Sequence, residues 1–113
     1  DFMVTGGEQA MARLADRTPR PTAVVACNDL MAVGAMLVCN HRGIAVPEDI
    51  AVVGFDNIPE SARIRPGLTT IAQYPEEIGE KLANALFDRI EGRYDGSARH
   101  FEIPCRLIQR ESA

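Results

Sequence analysis

Two apolar runs in this chain end in the same chemistry. Ala51-Val52-Val53-Gly54-Phe55 stops at Asp56-Asn57, and Thr22-Ala23-Val24-Val25-Ala26-Cys27 stops at Asn28-Asp29. A carboxylate only accepts hydrogen bonds, whereas a carboxamide donates and accepts, so an acid beside an amide suits the hydroxyl groups of a small polar molecule. The competing explanation is local. Asn and Asp after a strand also cap helices and make turns, because their short side chains satisfy free backbone N–H groups. Capping explains either pair alone at least as well; two such pairs at one edge of one sheet shift the balance toward a ligand site.

That chemistry needs elements to carry it. A short apolar run reads as a buried parallel strand, and in open α/β sheets ligands sit at the carboxyl ends of the strands. Strands are expected at Thr22–Cys27 and Ile50–Phe55, joined by a helix from Leu30 to Arg42 that Asn28 or Asp29 caps and Gly43 ends in a left-handed conformation. A right-handed crossover makes the two strands adjacent and parallel. Upstream, Thr5-Gly6-Gly7-Glu8 has capping-box spacing ahead of Ala10, Met11, Leu14 and Ala15, which form one apolar helical face. Downstream come a short helix over Ile58–Arg63, a strand over Leu68–Ala72, and a helix from Pro75 to Glu91 with Ile78, Leu82, Leu86 and Ile90 at four-residue steps. Phe101–Ile103 and Arg106–Ile108 read as pieces of an edge strand interrupted by Pro104.

The helix after Asn28-Asp29 is unusual. From Leu30 to Cys39 it has no charge, and Leu30, Met31, Val33, Met36, Leu37 and Val38 surround it with apolar groups. Such a helix must be covered on more than one side. The sheet covers one side; a partner subunit or second domain is the expected cover for the other, since so short a chain has few helices to spare.

Composition bounds the function classes. A chain of 113 residues holds one core, and 46% hydrophobic with 25% charged residues is the balance of a soluble globular protein. No apolar run approaches the roughly 20 residues that span a bilayer. The net charge of −4 with scattered basic residues argues against this segment gripping a phosphate backbone. Cys27, Cys39 and Cys105 are odd in number and lack any C-x-x-C spacing, which indicates neither a disulfide framework nor a metal site. They are expected as small buried residues in a reducing cytoplasm. No cofactor is implied. Catalysis is not expected either: phosphoacceptor chemistry at Asp56 would need further acids for magnesium and a lysine beside it. The sole lysine, Lys81, lies on an amphipathic helix, and His41 and His100 read as solvated surface residues. The start at Asp1 without a methionine suggests that sequence precedes it.

Together, the strings Ala26-Cys27-Asn28-Asp29-Leu30-Met31-Ala32-Val33-Gly34-Ala35, Gly43–Asp49, Val52–Asn57, Pro66–Gln73 and Ile108–Ser112 resemble, in order and spacing, the lactose-repressor and galactose-repressor (LacI/GalR) family of bacterial transcription regulators. The resemblance implies an α/β fold, a parallel sheet flanked by helices, of the type I periplasmic-binding-protein-like kind. Residues 1–72 would belong to the C-terminal subdomain of the effector-binding core, residues 73–100 to a crossover helix and loop of the other subdomain, and residues 101–113 to a returning terminal strand. Asn28 and Asp56 would bind a sugar-like effector, with Asp29 and Asn57 capping or supporting them. A homodimer would form through Val33, Met36 and Ile64. Operator DNA would be a partner only through an N-terminal helix-turn-helix domain absent from this chain; no membrane is implied, and the location would be cytoplasmic. The face of Ile78, Leu82, Leu86 and Ile90 would then lack its native cover, and it is expected to fold back on the chain's own sheet or to pack against another copy. The alternative is a periplasmic sugar-binding transport protein of the same fold, with a secretory leader upstream. The uncharged helix Leu30–Cys39 favours the dimerising regulator.

Overall fold

A computed structural model describes residues 1–113. The elements run α1 (Val4–Ala15), β1 (Ala23–Val25), α2 (Asp29–His41), β2 (Ala51–Asp56), a 3-10 turn (Pro59–Ala62), β3 (Thr69–Ala72), α3 (Pro75–Ile90) and β4 (Arg106–Ile108). The chain forms two compact units: residues Asp1–Ala72 with Arg106–Ala113, and residues Gln73–Cys105.

The first unit is a four-stranded mixed sheet in the order β1-β2-β3-β4. β1 and β2 pair in parallel with Val25 opposite Val53, and β2 and β3 pair in parallel with Gly54 opposite Thr70. β4 returns antiparallel on β3, with Thr70 opposite Ile108. Strand residues alternate between faces, so Val24, Val52 and Gly54 share one face. There Met11 and Ala15 of α1 and Ala32, Ala35, Met36 and Cys39 of α2 meet Val52, Ile50, Ile44 and Leu68 in one core. The helices approach closely because a side chain at Gly7 would meet the Met31 carbonyl and one at Gly34 the Val4 carbonyl. On the other face Val25 and Leu107 remain 79% and 60% exposed.

The stretch after β4 is an integral part of this unit. Ser112 is fully buried and bridges two strands: its Oγ donates to the Val52 carbonyl at 2.6 Å and accepts from Thr69 N at 2.9 Å. Its own main chain accepts from Val52 N at 2.8 Å and donates to the Gly67 carbonyl at 3.0 Å. Ser112 thus takes the place of ladder bonds just before β2 and β3 begin to pair.

In the second unit, Pro75 opens α3, with Glu76 and Glu77 in the first turn, where the helix dipole favours negative charge. The loop that follows closes on the last turn of the helix. Asp88 accepts from Arg93 Nε at 3.0 Å and Arg99 Nη2 at 2.9 Å, and the Arg99 guanidinium lies 4.0 Å from the centre of the Tyr94 ring. These two arginine hydrogen bonds hold the Asp88 carboxyl below its ordinary range.

Several expectations are corrected. Helix α1 begins at Val4 with Met3 as its N-cap and no side-chain cap bond, so Thr5 lies inside the helix and the Thr5–Glu8 spacing does not act as a capping box. β1 is confined to Ala23–Val25, and Phe101–Ile103 forms no strand. Cys27 and Cys105 are exposed, and only Cys39 is buried. Within the second unit, Ile78 of the apolar face of α3 is half-buried, whereas Leu82, Leu86 and Ile90 are more than half exposed.

Candidate functional site

Because β1 and β2 are parallel neighbours, Asn28-Asp29 and Asp56-Asn57 both emerge at the carboxyl edge of the sheet. Ala26 N still donates to the Val53 carbonyl at 2.8 Å, carrying the β1 register to within two residues of Asn28.

Asn28 is the N-cap of α2. Its Oδ1 accepts from Met31 N at 2.9 Å and its Nδ2 donates to the Phe2 carbonyl at 2.8 Å. A carboxamide has two donors and two lone pairs, so capping fixes the orientation of Asn28 while leaving one N–H and one lone pair. The local reading of Asn28 as a cap therefore holds, and it does not exhaust the side chain.

Asp29 does more than a neighbouring cap would. It is fully buried, and its carboxylate accepts from Thr70 Oγ1 and Ser61 Oγ, both at 2.5 Å, and from Ile58 N at 2.9 Å. One side chain at the start of α2 thereby holds β3, the 3-10 turn and the residue leading into it. The approach requires Gly54, since a Cβ there would collide with Asp29 Oδ1 and crowd Leu68 Cδ2.

Asp56 ends β2 with φ at 119°, and Asn57 follows with φ at 57°. Few non-glycine residues take positive φ, and such conformations persist where the surroundings over-determine them, which is characteristic of binding sites. Asn57 N donates to Thr70 Oγ1 at 3.3 Å, and Asn57 Oδ1 accepts from Arg110 Nη2 at 2.8 Å. Arg110 is itself held by a bond from Nη1 to the Leu68 carbonyl at 2.6 Å and by its main-chain N on Thr69 Oγ1 at 2.9 Å.

Sequence reasoning missed Thr70, Ser61, Arg110 and Ser112. Leu68–Ala72 reads as a strand from its β-branched content, which conceals that Thr70 points its hydroxyl at a buried carboxylate. A polar residue on the buried face of a strand was the available signal.

Of the residues expected at a subunit contact, Val33 and Ile64 are half-buried, while Met36 is only 7% exposed and belongs to the core. Leu37, at 38% exposure and one turn from Val33, is the more accessible apolar group on that side of α2. No helix in the chain is long and apolar enough to cross a membrane.

Residues 2–113 match the family model described as a periplasmic binding protein-like domain. The chain is 39% identical over 112 residues to the HTH-type transcriptional repressor PurR of Escherichia fergusonii, covering 99% of this chain and 33% of that protein. It thus spans about a third of the length of the curated relatives it matches. Among solved structures it superposes on the transcriptional regulator CelR in complex with cellobiose with a TM-score of 0.94 and 38% identity, covering 100% of this chain and 34% of that one. A LacI family regulator from Enterococcus faecium with bound ribose gives a TM-score of 0.87 and 37% identity, covering 99% of this chain and 41% of that one. These relatives are regulators and not enzymes. The chain therefore belongs to the periplasmic binding protein-like domain family, in the form found in the effector-binding region of LacI/GalR-type transcription regulators.

Proposed function

We propose that this chain is effector-binding machinery of a DNA-binding transcription regulator, and that its effector is a sugar or a related small polar molecule held by Asn28 and Asp56. The observation that carries the reading is Asp56 at a φ of 119° on the carboxyl edge of the sheet, a backbone state maintained by bonds to the next residue from β3 and from Arg110. Sugar hydroxyls each donate and accept. A carboxylate taking hydroxyl protons beside an amide that gives one and takes one can hold the edge of a ring. Such a site also rejects analogues that lack the hydroxyls, because its own polar groups would be left unpaired. The cellobiose and ribose in the two solved relatives support the same class.

Copies of the chain pair across α2 in this reading, through Val33, Leu37 and Ile64 at the surface with Met36 supporting them from beneath. Effector binding favours one arrangement of the paired subunits, and that preference is read by DNA-binding segments outside this chain.

The test is isothermal titration of the full-length regulator against ribose and other pentoses, hexoses, cellobiose, nucleosides and their phosphates. One of these classes saturates the protein. Asp56→Ala weakens it by roughly 100-fold, because two bonds to a charged acceptor at about 1.5 kcal/mol each are lost. Wild-type affinity in that variant would remove Asp56 from the site.

A further inference from the structure

The positive φ values of Asp56 and Asn57 are secured from two separate parts of the chain. Thr70 Oγ1 gives its proton to Asp29 Oδ1 at 2.5 Å, which directs an oxygen lone pair at Asn57 N, 3.3 Å away. Ile58 N is fixed on the other oxygen of the same carboxylate at 2.9 Å. Arg110, anchored on the Leu68 carbonyl and on Thr69 Oγ1, reaches Asn57 Oδ1 at 2.8 Å. The residue immediately after Asp56 is therefore gripped by its main chain from β3 and by its side chain from the stretch after β4.

We propose that Thr70 and Arg110 are positioning residues for Asp56: by holding Asn57 in its left-handed conformation they fix the direction in which the Asp56 carboxylate leaves the sheet. The inference rests on the reading of Asp56 as an effector ligand. Its physical basis is that the two bonds act on Asn57 and not on the apolar core. Asn57 at φ 57° and Asp56 at φ 119° both lie where relaxation toward ordinary β or α values would swing the carboxylate away. A ring held by several hydroxyls tolerates little misplacement of its acceptor, so a small rotation at Asp56 is read directly as lost affinity.

The test separates positioning from stability. Thr70→Val keeps the shape and removes the hydroxyl, Thr70→Ser keeps the hydroxyl, and Arg110→Gln removes the guanidinium. Ser112→Ala serves as the control: it breaks buried bonds to the Val52 carbonyl and Thr69 N, neither of which touches Asn57. In the full-length regulator two quantities are measured, amide hydrogen exchange at Asn57 and Ile58, and calorimetric affinity for ribose and for cellobiose. Thr70→Val and Arg110→Gln are expected to speed that exchange and weaken binding, each roughly tenfold or more, while Thr70→Ser restores both. Ser112→Ala lowers the denaturation midpoint and leaves exchange at these two amides and affinity unchanged. Wild-type exchange at Asn57 and Ile58 in both Thr70→Val and Arg110→Gln overturns the proposal, as does Ser112→Ala weakening binding as much as they do. Asp56→Ala separates the two levels of the argument. Undiminished sugar binding in that variant, or no binding of either sugar by the wild type, removes the effector assignment, and the exchange measurement still decides whether Thr70 and Arg110 hold the turn.

Discussion

Replacing Asp29 is the most informative single perturbation of this fold. Its carboxylate is fully buried and serves three donors: the Thr70 hydroxyl, the Ser61 hydroxyl and Ile58 N. Asp29→Ala strands all three, and a buried donor left without a partner costs about 1–3 kcal/mol. The hydroxyls can turn toward other acceptors and a water can enter the vacated space, so the sum falls short of three full penalties, at about 3–5 kcal/mol. Against a typical domain stability of about 5–15 kcal/mol that is a large fraction. Asp29→Asn behaves differently. Its oxygen can remain on Ile58 N and Ser61, while its amide faces Thr70, whose hydroxyl oxygen accepts once it rotates; the expected cost is about 1–2 kcal/mol. Urea denaturation reads the difference. With a slope of about 1–3 kcal/mol per molar urea, Asp29→Ala moves the midpoint down by roughly 2 M and Asp29→Asn by well under half of that. A midpoint for Asp29→Ala equivalent to a change within about 0.5 kcal/mol of wild type, the range of an ordinary surface substitution, would refute the account of Asp29 as the tie between α2, β3 and the 3-10 turn. So would an Asn variant less stable than the Ala variant.

Gly54→Ala puts a methyl group where Asp29 Oδ1 and Leu68 Cδ2 already sit, and it destabilises by about 1–3 kcal/mol in the same denaturation experiment. In the native protein a thiol reagent modifies Cys27 and Cys105 quickly and Cys39 only on unfolding, since Cys39 is buried and desolvation raises its pKa; mass spectrometry of labelled peptides checks this. The loop after α3 loses support in acid. The folded carboxyl of Asp88 lies below its ordinary value of 3.8 because Arg93 and Arg99 bond to it, so its contribution is present above that pH and disappears as pH falls through the lowered value. Amide exchange across residues 93–99 is accordingly faster in Asp88→Asn than in wild type at neutral pH, and the two converge in strong acid.

The site's framework was legible because it depends on local runs. Two apolar stretches separated by a helix of ordinary length read as parallel neighbours joined by a right-handed crossover, and that pairing brings Asn28 and Asp56 to one edge. Gly43, at φ 66°, and Pro75, in the first turn of α3, were readable for the same reason, as residues whose backbone preferences act where they stand. What holds the site together was not legible. Asp29 finds Ser61 and Thr70 at separations of 32 and 41 residues, and Asn57 finds Arg110 at 53. No short spacing encodes such pairs, and a threonine in a strand carries the same β-branched signal whether its hydroxyl meets solvent or a carboxylate. The cysteines failed in the opposite way. Their burial was inferred from residue type, but Cys27 lies just beyond an edge strand whose Val25 is itself exposed, and Cys105 lies in an extended stretch just before β4. Thr5 shows the limit of a motif without context: its spacing to Glu8 matches a cap, yet the helix had already begun at Val4.

Ser112 joins strand partners at Val52 and Thr69 that were synthesised 60 and 43 residues earlier. During translation β2 and β3 are therefore made well before the stretch that closes their lower seam, and until it arrives β3 has one side unpaired. A chain cut between Ala72 and Arg106 would carry a sheet with an open hydrogen-bonding margin at β3, a form prone to pairing with other chains or to proteolysis. The order of synthesis, as much as the final energy, thus sets when this unit becomes safe in the cell.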